Sequence, residues 1–344
     1  MLNKNNIYLI LFIIAVLVLG SCGLRKEKEV KKTVHLGEIT RSILYGPVYI
    51  AASQGFFNDE NLEIEFTTFN NNTELAESLE SNTTQIILSG PQVSIINPLE
   101  YPASKLINFA QLVQKDTSFL LGRKTAEDFQ WSNLQKKIII GGIDNSTPQL
   151  ALQYLLVKNE LYPYKQVDII QNIPKGSAIG AFKGGVGDFI HLLEPDVSLL
   201  EEEDSAFIAV ALGDEIGEIA YTTFISPSKY LDENPEIIQG FARALYKAQL
   251  WCTYHTPQEI AQELIPFLPN ISPNIILSVV NRYQKQEVWC PNPIIKQEAL
   301  EKMEEILITS GVVGNKVPFE KIADNSFAQK AVDEIPIPKE YLKP

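Results

Sequence analysis

Val34-His35-Leu36-Gly37-Glu38-Ile39-Thr40-Arg41-Ser42-Ile43-Leu44-Tyr45-Gly46-Pro47-Val48-Tyr49-Ile50-Ala51-Ala52-Ser53-Gln54-Gly55-Phe56, followed by Leu62-Glu63-Ile64-Glu65-Phe66, decides the fold. A short apolar run passes into a Gly, Thr and Ser loop, then into a helical stretch opened by Pro47 and stopped near Gly55, then into an alternating half-buried strand. This unit predicts an α/β fold with mainly parallel strands. It recurs: Glu74 to Leu79 reads as helix, Gln85 to Leu88 as strand, Lys137 to Ile140 as strand, Pro148 to Lys158 as helix, and Val167 to Ile170 and Asp188 to Leu193 as strands.

After Tyr230 the pattern turns helical. Four polar-proline pairs, Asn234-Pro235, Thr256-Pro257, Ser272-Pro273 and Asn292-Pro293, read as caps with proline in the first turn. Thr256 with Glu259 fits a capping box. On the first of these helices Ile237, Phe241, Leu245 and Ala248 share a buried face, which leaves Arg243 and Lys247 to water.

Upstream, Lys4 precedes an apolar run from Ile7 to Val18 and then Leu19-Gly20-Ser21-Cys22, the layout of a secretory signal. Even counted to Gly20 the run has 14 residues, short of the ~20 a membrane-spanning helix needs. The charged segment from Leu24 to Lys32 reads as a tether. From Thr33 to Pro344 remain 312 residues, enough for two lobes. The formal charge is −13, and removing Lys4 makes the mature chain more acidic still, so nucleic acid is excluded as a partner. Cys252 and Cys290 have no metal-site spacing; free thiols and a single bridge both remain open.

Three loops share one design, a strand feeding a short Gly, Ser or Thr turn that opens a helix: Gly37-Glu38-Ile39-Thr40-Arg41-Ser42 before Pro47, with Tyr45 close by, Ser89-Gly90-Pro91-Gln92, and Gly141-Gly142-Ile143-Asp144-Asn145-Ser146-Thr147 before Pro148. Free N–H groups at helix starts bind polar or anionic groups, and ligands collect at the carboxyl ends of strands in open α/β sheets. Each loop alone could be an ordinary turn; three together predict a binding cleft. Glu194, at the end of the Asp188 to Leu193 strand, adds a carboxylate at that level. Trp131, Tyr45 and Tyr49 could stack on a planar solute or simply pack.

Catalytic readings find little support. His35 and His191 lie in apolar strands and read as structural, and His255 sits in a polar turn. HExxH, GxSxG and a P-loop are missing, and Gly184-Gly185-Val186-Gly187 precedes a strand where a dinucleotide fingerprint would precede a helix. Glu201-Glu202-Glu203-Asp204 reads as a solvated face. No catalytic residues, metal or cofactor are expected.

Ser42 to Phe57 with Leu62 to Glu65 resembles the opening of ABC-importer solute-binding proteins for nitrate, sulfonates, taurine and thiamine-precursor pyrimidines. Phe109-Ala110-Gln111-Leu112, Ser118-Phe119-Leu120, Gly184 to Asp188 and Leu193-Glu194-Pro195 are similar to a Firmicute branch of that family, and the likeness runs from Thr33 to Val332. Two departures stand out. Gln85 occupies a place where many relatives have aspartate, and Ile143 to Thr147 replaces a more glycine-rich loop, so specificity does not carry across. Leu19-Gly20-Ser21-Cys22 resembles a lipobox, which makes Cys22 the lipidated residue.

The resemblance implies a type II periplasmic-binding fold: residues 33–120 and 224–344 as a discontinuous first lobe that holds the helical tail, residues 121–223 as the second. Crossovers are expected near Phe119 to Arg123 and Ala220 to Ile225. It also implies a monomer, lipid-anchored on the extracytoplasmic face, that hands a small solute to a permease and its ATPase. With Arg41 as the cleft's cation and Glu194 as its anion, the expected solute carries an amine or aminopyrimidine at one end and an acidic or polar group at the other. The alternative is an enzyme like thiamine-pyrimidine synthase, which is similar in fold but is marked by a CCCFC motif that this chain lacks.

Overall fold

The computed structural model describes residues 31–100, 105–125 and 129–342. The expected signal, Cys22 and nearly all of the tether lie outside these residues; β1 already begins at Lys32.

The first sheet is built from β1 (Lys32–Glu38), β2 (Leu62–Thr68), β3 (Ile86–Ser89), β4 (Leu106–Val113) and β10 (Thr222–Pro227), in the order β2-β1-β3-β10-β4. Helices α1 (Gly46–Ser53), α2 (Phe56–Asp59), α3 (Asn72–Glu80) and α4 (Gln92–Glu100) join its strands. In the second sheet β5 (Ser118–Gly122), β6 (Ile138–Ile140), β7 (Asp168–Ile170), β8 (Phe189–Leu193) and β9 (Phe207–Ala211) follow the order β7-β6-β8-β5-β9. Its helices are α5 (Thr147–Lys158), α6 (Lys175–Lys183), α7 (Asp196–Glu202) and α8 (Leu212–Ile216).

Each sheet has one reversed strand. β10 is antiparallel to β3 and β4, and β5 is antiparallel to β8 and β9. The cause is topological. The chain leaves the first sheet at the carboxyl end of β4 and enters the second beside the carboxyl end of β8, where Ser118 pairs with Leu193, so β5 must run backwards. The return from β9 imposes the same reversal on β10, where Thr223 faces Ser89. The carboxyl ends of the parallel strands in both sheets therefore face one another.

The crossings are Gln114 to Thr117, just before the first expected segment, and Leu212 to Tyr221, which overlaps the second at Ala220 and Tyr221; Phe119 and Thr222 are already in strands. They are joined to each other, with the Ile219 N–H donating to the Gln114 carbonyl at 2.9 Å and the Tyr221 N–H to Val113 at 3.1 Å. At Gly213 a Cβ would lie 2.1 Å from the Asp116 carbonyl oxygen, so only glycine allows this approach.

The tail comprises α9 (Ser228–Glu233), α10 (Pro235–Tyr254), α11 (Pro257–Leu264), α12 (Pro273–Lys285), α13 (Gln297–Thr309), α14 (Phe319–Ile322) and α15 (Ser326–Glu334). Thr256 and Glu259 form the capping box, and the Ser272 hydroxyl caps α12. Asn292-Pro293 opens no helix. Residues 288–293 instead serve the edge of β4, with Cys290 N–H donating to Leu112 and Gln111 N–H to Pro293, and α13 starts later at Gln297. Ile237, Phe241, Leu245 and Ala248 are buried as expected. Arg243 and Lys247 are not left to water: Arg243 pairs with Glu60 and Glu334, and Lys247 with Asp59 and Glu60.

The tail does not pack on the first sheet alone. α13 lies against both α4 and α5, and α12 touches α7. Cys252 and Cys290 are buried and unpaired. Glu201, expected in a solvated face, pairs with Arg282. Trp131 packs on Phe129 and donates to Glu215, and His255 stacks on Trp251.

Asp116, in the first crossing, is buried and accepts hydrogen bonds from the Ser118 N–H and hydroxyl. Burial raises its carboxyl to about 7 against those hydrogen bonds. The folded state thus holds this proton more tightly than the unfolded chain, so the associated stability is complete below the unfolded value near 4 and is lost as pH rises through about 7. That difference in proton affinity corresponds to about 4 kcal/mol. Urea denaturation from pH 4 to 8 should show Asp116→Asn gaining on the wild type by up to about that amount, and parallel stability profiles would refute this.

Candidate ligand cleft

β1 ends at Glu38, whose side chain is fully buried. Its carboxylate accepts from the Tyr49 hydroxyl at 2.7 Å and pairs with Arg41 Nε at 3.0 Å. Burial pushes the Glu38 carboxyl up, against the pull of Tyr49 and Arg41. The guanidinium also lies over Phe66, 4.7 Å from the ring centre, and borders a hollow of about 400 Å³ formed with residues 266–271. Arg41 is therefore not the free cation expected. Its partner Glu38 gave a signal in sequence, a carboxylate at a strand end, that was passed over. Thr40 is exposed, its hydroxyl turned to the Arg41 carbonyl, while the Ser42 hydroxyl accepts from Leu44 N–H and sets the turn that buries Tyr45.

The second loop follows β3. Ser89 and Gln92 are buried, and Gly90 makes room for the Gln92 side chain, whose Oε1 would lie 2.0 Å from a Cβ there. Gln92 Nε2 donates to Thr147 Oγ1 at 2.9 Å. This bond joins the loop after β3 of the first sheet to the third loop, on the second sheet, so these two loops are in contact. Within the third loop Asn145 is exposed and left-handed at φ 57°. Ser146 does not cap α5; its hydroxyl donates to the Ile143 carbonyl. The Gly142 N–H donates to Gln149 Oε1 at 2.8 Å.

Glu194 follows the end of β8, as expected, but its charge is not free. It is buried, accepts from Ser198 N–H at 2.9 Å and the Ser198 hydroxyl at 3.0 Å, and pairs with Arg282 of α12. Arg282 also reaches Glu201 and lies over the Phe119 ring. Phe119 pairs with Leu192 and shares its face of the second sheet. The carboxylate joins α7 to the tail rather than presenting a bare charge; burial raises its carboxyl, opposed first by Arg282.

Tyr45, which the sequence offers as a residue that could stack or pack, and two tyrosines not singled out from the sequence fill the space between the sheets. Tyr221, Tyr283 and Tyr45 are buried, the first two held against the Thr117 side chain in the crossing. Burial raises all three phenols, helped by Asp116 at Tyr221, Glu194 at Tyr283 and Glu38 at Tyr45. Tyr221 lies inside the crossover expected at Ala220 to Ile225 and could have been found there; Tyr283 sits in a tail read as structural. The junction is thus lined by phenols, hydroxyls and amides, with both of its arginines already paired. Among the described residues no cluster of His, Cys, Asp or Glu could hold a metal, and no helix is long and apolar enough to cross a membrane.

Residues 44–260 match the family model described as NMT1/THI5 like. The chain is 33% identical over 309 residues to "Putative binding protein YtlA" of Bacillus subtilis (strain 168), covering 90% of this chain and 92% of that one. It is 22% identical over 238 residues to 4-amino-5-hydroxymethyl-2-methylpyrimidine phosphate synthase of Candida albicans (strain WO-1), covering 67% and 69%. Among solved structures, the periplasmic aliphatic sulphonate binding protein SsuA from Escherichia coli superposes with a TM-score of 0.67 at 14% identity, over 84% of this chain and 96% of that one. The fold is the two-lobed periplasmic-binding fold of ABC import systems, and the chain belongs to the NMT1/THI5-like family.

Proposed function

We propose that this chain is the solute-capturing lipoprotein of an ABC importer, and that its solute is a small, flat, nitrogen-rich molecule such as a thiamine-precursor aminopyrimidine, ahead of a taurine-like aminosulfonate. The observation that carries this reading is the junction itself. Loops from the carboxyl ends of two sheets meet through Gln92 and Thr147, and the acidic residues nearby are neutralised internally by Arg41 and Arg282. A sulfonate would need a cation that is free, and ionic attraction across an already paired arginine is weak. A neutral heterocycle gains instead from stacking on tyrosine and from hydrogen bonds to hydroxyls and amides.

Capture, not chemistry, is the role favoured here: the junction offers no activated nucleophile, and the CCCFC run of the similar synthases is missing from the sequence. Entry requires the lobes to part, breaking the Gln92–Thr147 contact. Cys22 carries the lipid anchor on the extracytoplasmic face, and a permease with its ATPase receives the solute from this monomer.

Two measurements test the proposal. In a thermal-shift panel of aminopyrimidines, aminosulfonates and inorganic anions, an aminopyrimidine at about 100 times its dissociation constant should add about 2.7 kcal/mol to stability; stabilisation by nitrate or taurine alone would reverse the ranking of solutes. For the anchor, intact mass of the membrane-bound protein should show a diacylglyceryl adduct that Cys22→Ala loses, and an unmodified Cys22 thiol would remove the lipoprotein assignment.

A further inference from the structure

Two buried side chains on one face of the second sheet keep polar atoms without a hydrogen-bond partner among the described residues. Gln149, in the first turn of α5, is fully buried and its Nε2 is unpaired; His191, in β8, is 5% exposed and both ring nitrogens are unpaired. Such groups cost about 1 to 3 kcal/mol each when nothing satisfies them.

The register brings them together. β6 and β8 are parallel, with Ile139 opposite Phe189 and Ile140 opposite Ile190, so the next pair along is Gly141 and His191. Residues paired in this way project to the same face. On that face Gly141 has no side chain, and a Cβ there would lie 2.8 Å from both Gln149 Oε1 and Ile169 Cγ2. The Gln149 amide and the Ile169 side chain thus share the place of the missing Gly141 side chain, next to the register position of His191. His191 lies toward the carboxyl end of β8, the end that faces the other sheet, and around it burial lessens: Leu193, two residues on, is 37% exposed, and Gly142 and Thr147 are partly exposed.

The chemistry offered is specific. Gln149 Oε1 already accepts from the Gly142 N–H, which fixes the amide orientation and leaves Nε2 as a pure donor. Burial lowers His191 to about 3, so the ring is neutral and carries one donor and one acceptor nitrogen.

We infer that Gln149 and His191 form the specificity element of the second lobe, a donor beside an acceptor that recognises the complementary edge of a cyclic amidine or amide, in which a ring nitrogen lies next to an amino group. The inference rests on the solute-binding reading given above and narrows its solute class. The Gln149 amide N–H donates to the solute's ring nitrogen, and the solute's amino group donates to the imidazole. Taurine has no such edge.

Calorimetric titration of the full-length chain in detergent with 4-amino-5-hydroxymethyl-2-methylpyrimidine, cytosine and taurine tests this, using wild type, Gln149→Met and His191→Phe. A heterocycle should bind the wild type, and each variant should lose roughly tenfold to a hundredfold in affinity. Equal affinities in wild type and both variants would assign the pair to internal packing and overturn the inference while leaving solute capture intact. Binding of taurine alone would do the same, whereas no binding by any of the three would remove this solute class and the inference together. Should either variant fail to fold, ¹⁵N spectra of the wild-type imidazole decide: the His191 ring nitrogens should shift on adding the pyrimidine, and unmoved resonances at saturation would overturn the assignment.

Discussion

The constraint on which the rest depends is the double crossing of the chain between its two sheets. Both crossings leave from the carboxyl end of a strand, β4 or β9, and both must land at the same end of the other sheet. That geometry forces β5 and β10 to run against their neighbours and turns every loop that follows a parallel strand toward the interface. The Gly213 contact with Asp116 and the hydrogen bonds from Ile219 and Tyr221 lock the crossings side by side. A cleft at the junction is therefore a consequence of connectivity; the loops add only its chemistry.

That chemistry is shaped by neutralisation. A carboxylate as deeply buried as Glu38 or Glu194 is tolerated only with a partner, since desolvation of a lone charge is costly. Arg41 and Arg282 fill those roles, each also lying over an aromatic ring, Phe66 or Phe119. The two pairs fix the mouth of the first sheet and the contact between α7 and the tail. On the proposed reading they leave recognition to neutral groups, which discriminate by unmet hydrogen bonds more sharply than by net charge.

The alternating strands and helices were legible because burial imposes a period of two or of 3.6 on any chain, and Thr256-Pro257 and Ser272-Pro273 were legible because caps act locally. Asn292-Pro293 misled because its signal is local while the need it meets, the unsatisfied edge of β4, is not. Arg41 reads in sequence as a loop's cation and Glu194 as a carboxylate at a strand end. Their partners come from Glu38, a residue read only as part of a loop, and from Arg282, 88 residues further along the chain, and sequence position carries no information about such pairing. His191 read as a structural histidine; what periodicity cannot reveal is that its neighbour in the sheet is a glycine whose place an amide shares with Ile169.

The tail shows how such non-local pairing governs the whole molecule. α13 rests on α4 of the first sheet and on α5 of the second, where Tyr154, Lys302 and Glu305 are joined by hydrogen bonds of 2.7 to 3.1 Å. Burial alone would raise Glu305, but hydrogen bonds from Lys158, Lys302 and Tyr154 outweigh it and hold the carboxyl at about 2. On α12, Arg282 ties the same tail to the second sheet at Glu194 and Glu201. These polar ties are directional and can be broken singly, whereas an apolar seam would have to be exposed to water all along its length. The last third of the chain braces both sheets with such ties and with an apolar seam as well, since Leu300, Met303 and Leu307 of α13 share one buried cluster with Leu150 and Leu155 of α5, and it is this seam, costly to expose, that makes the tail a common brace for the two sheets.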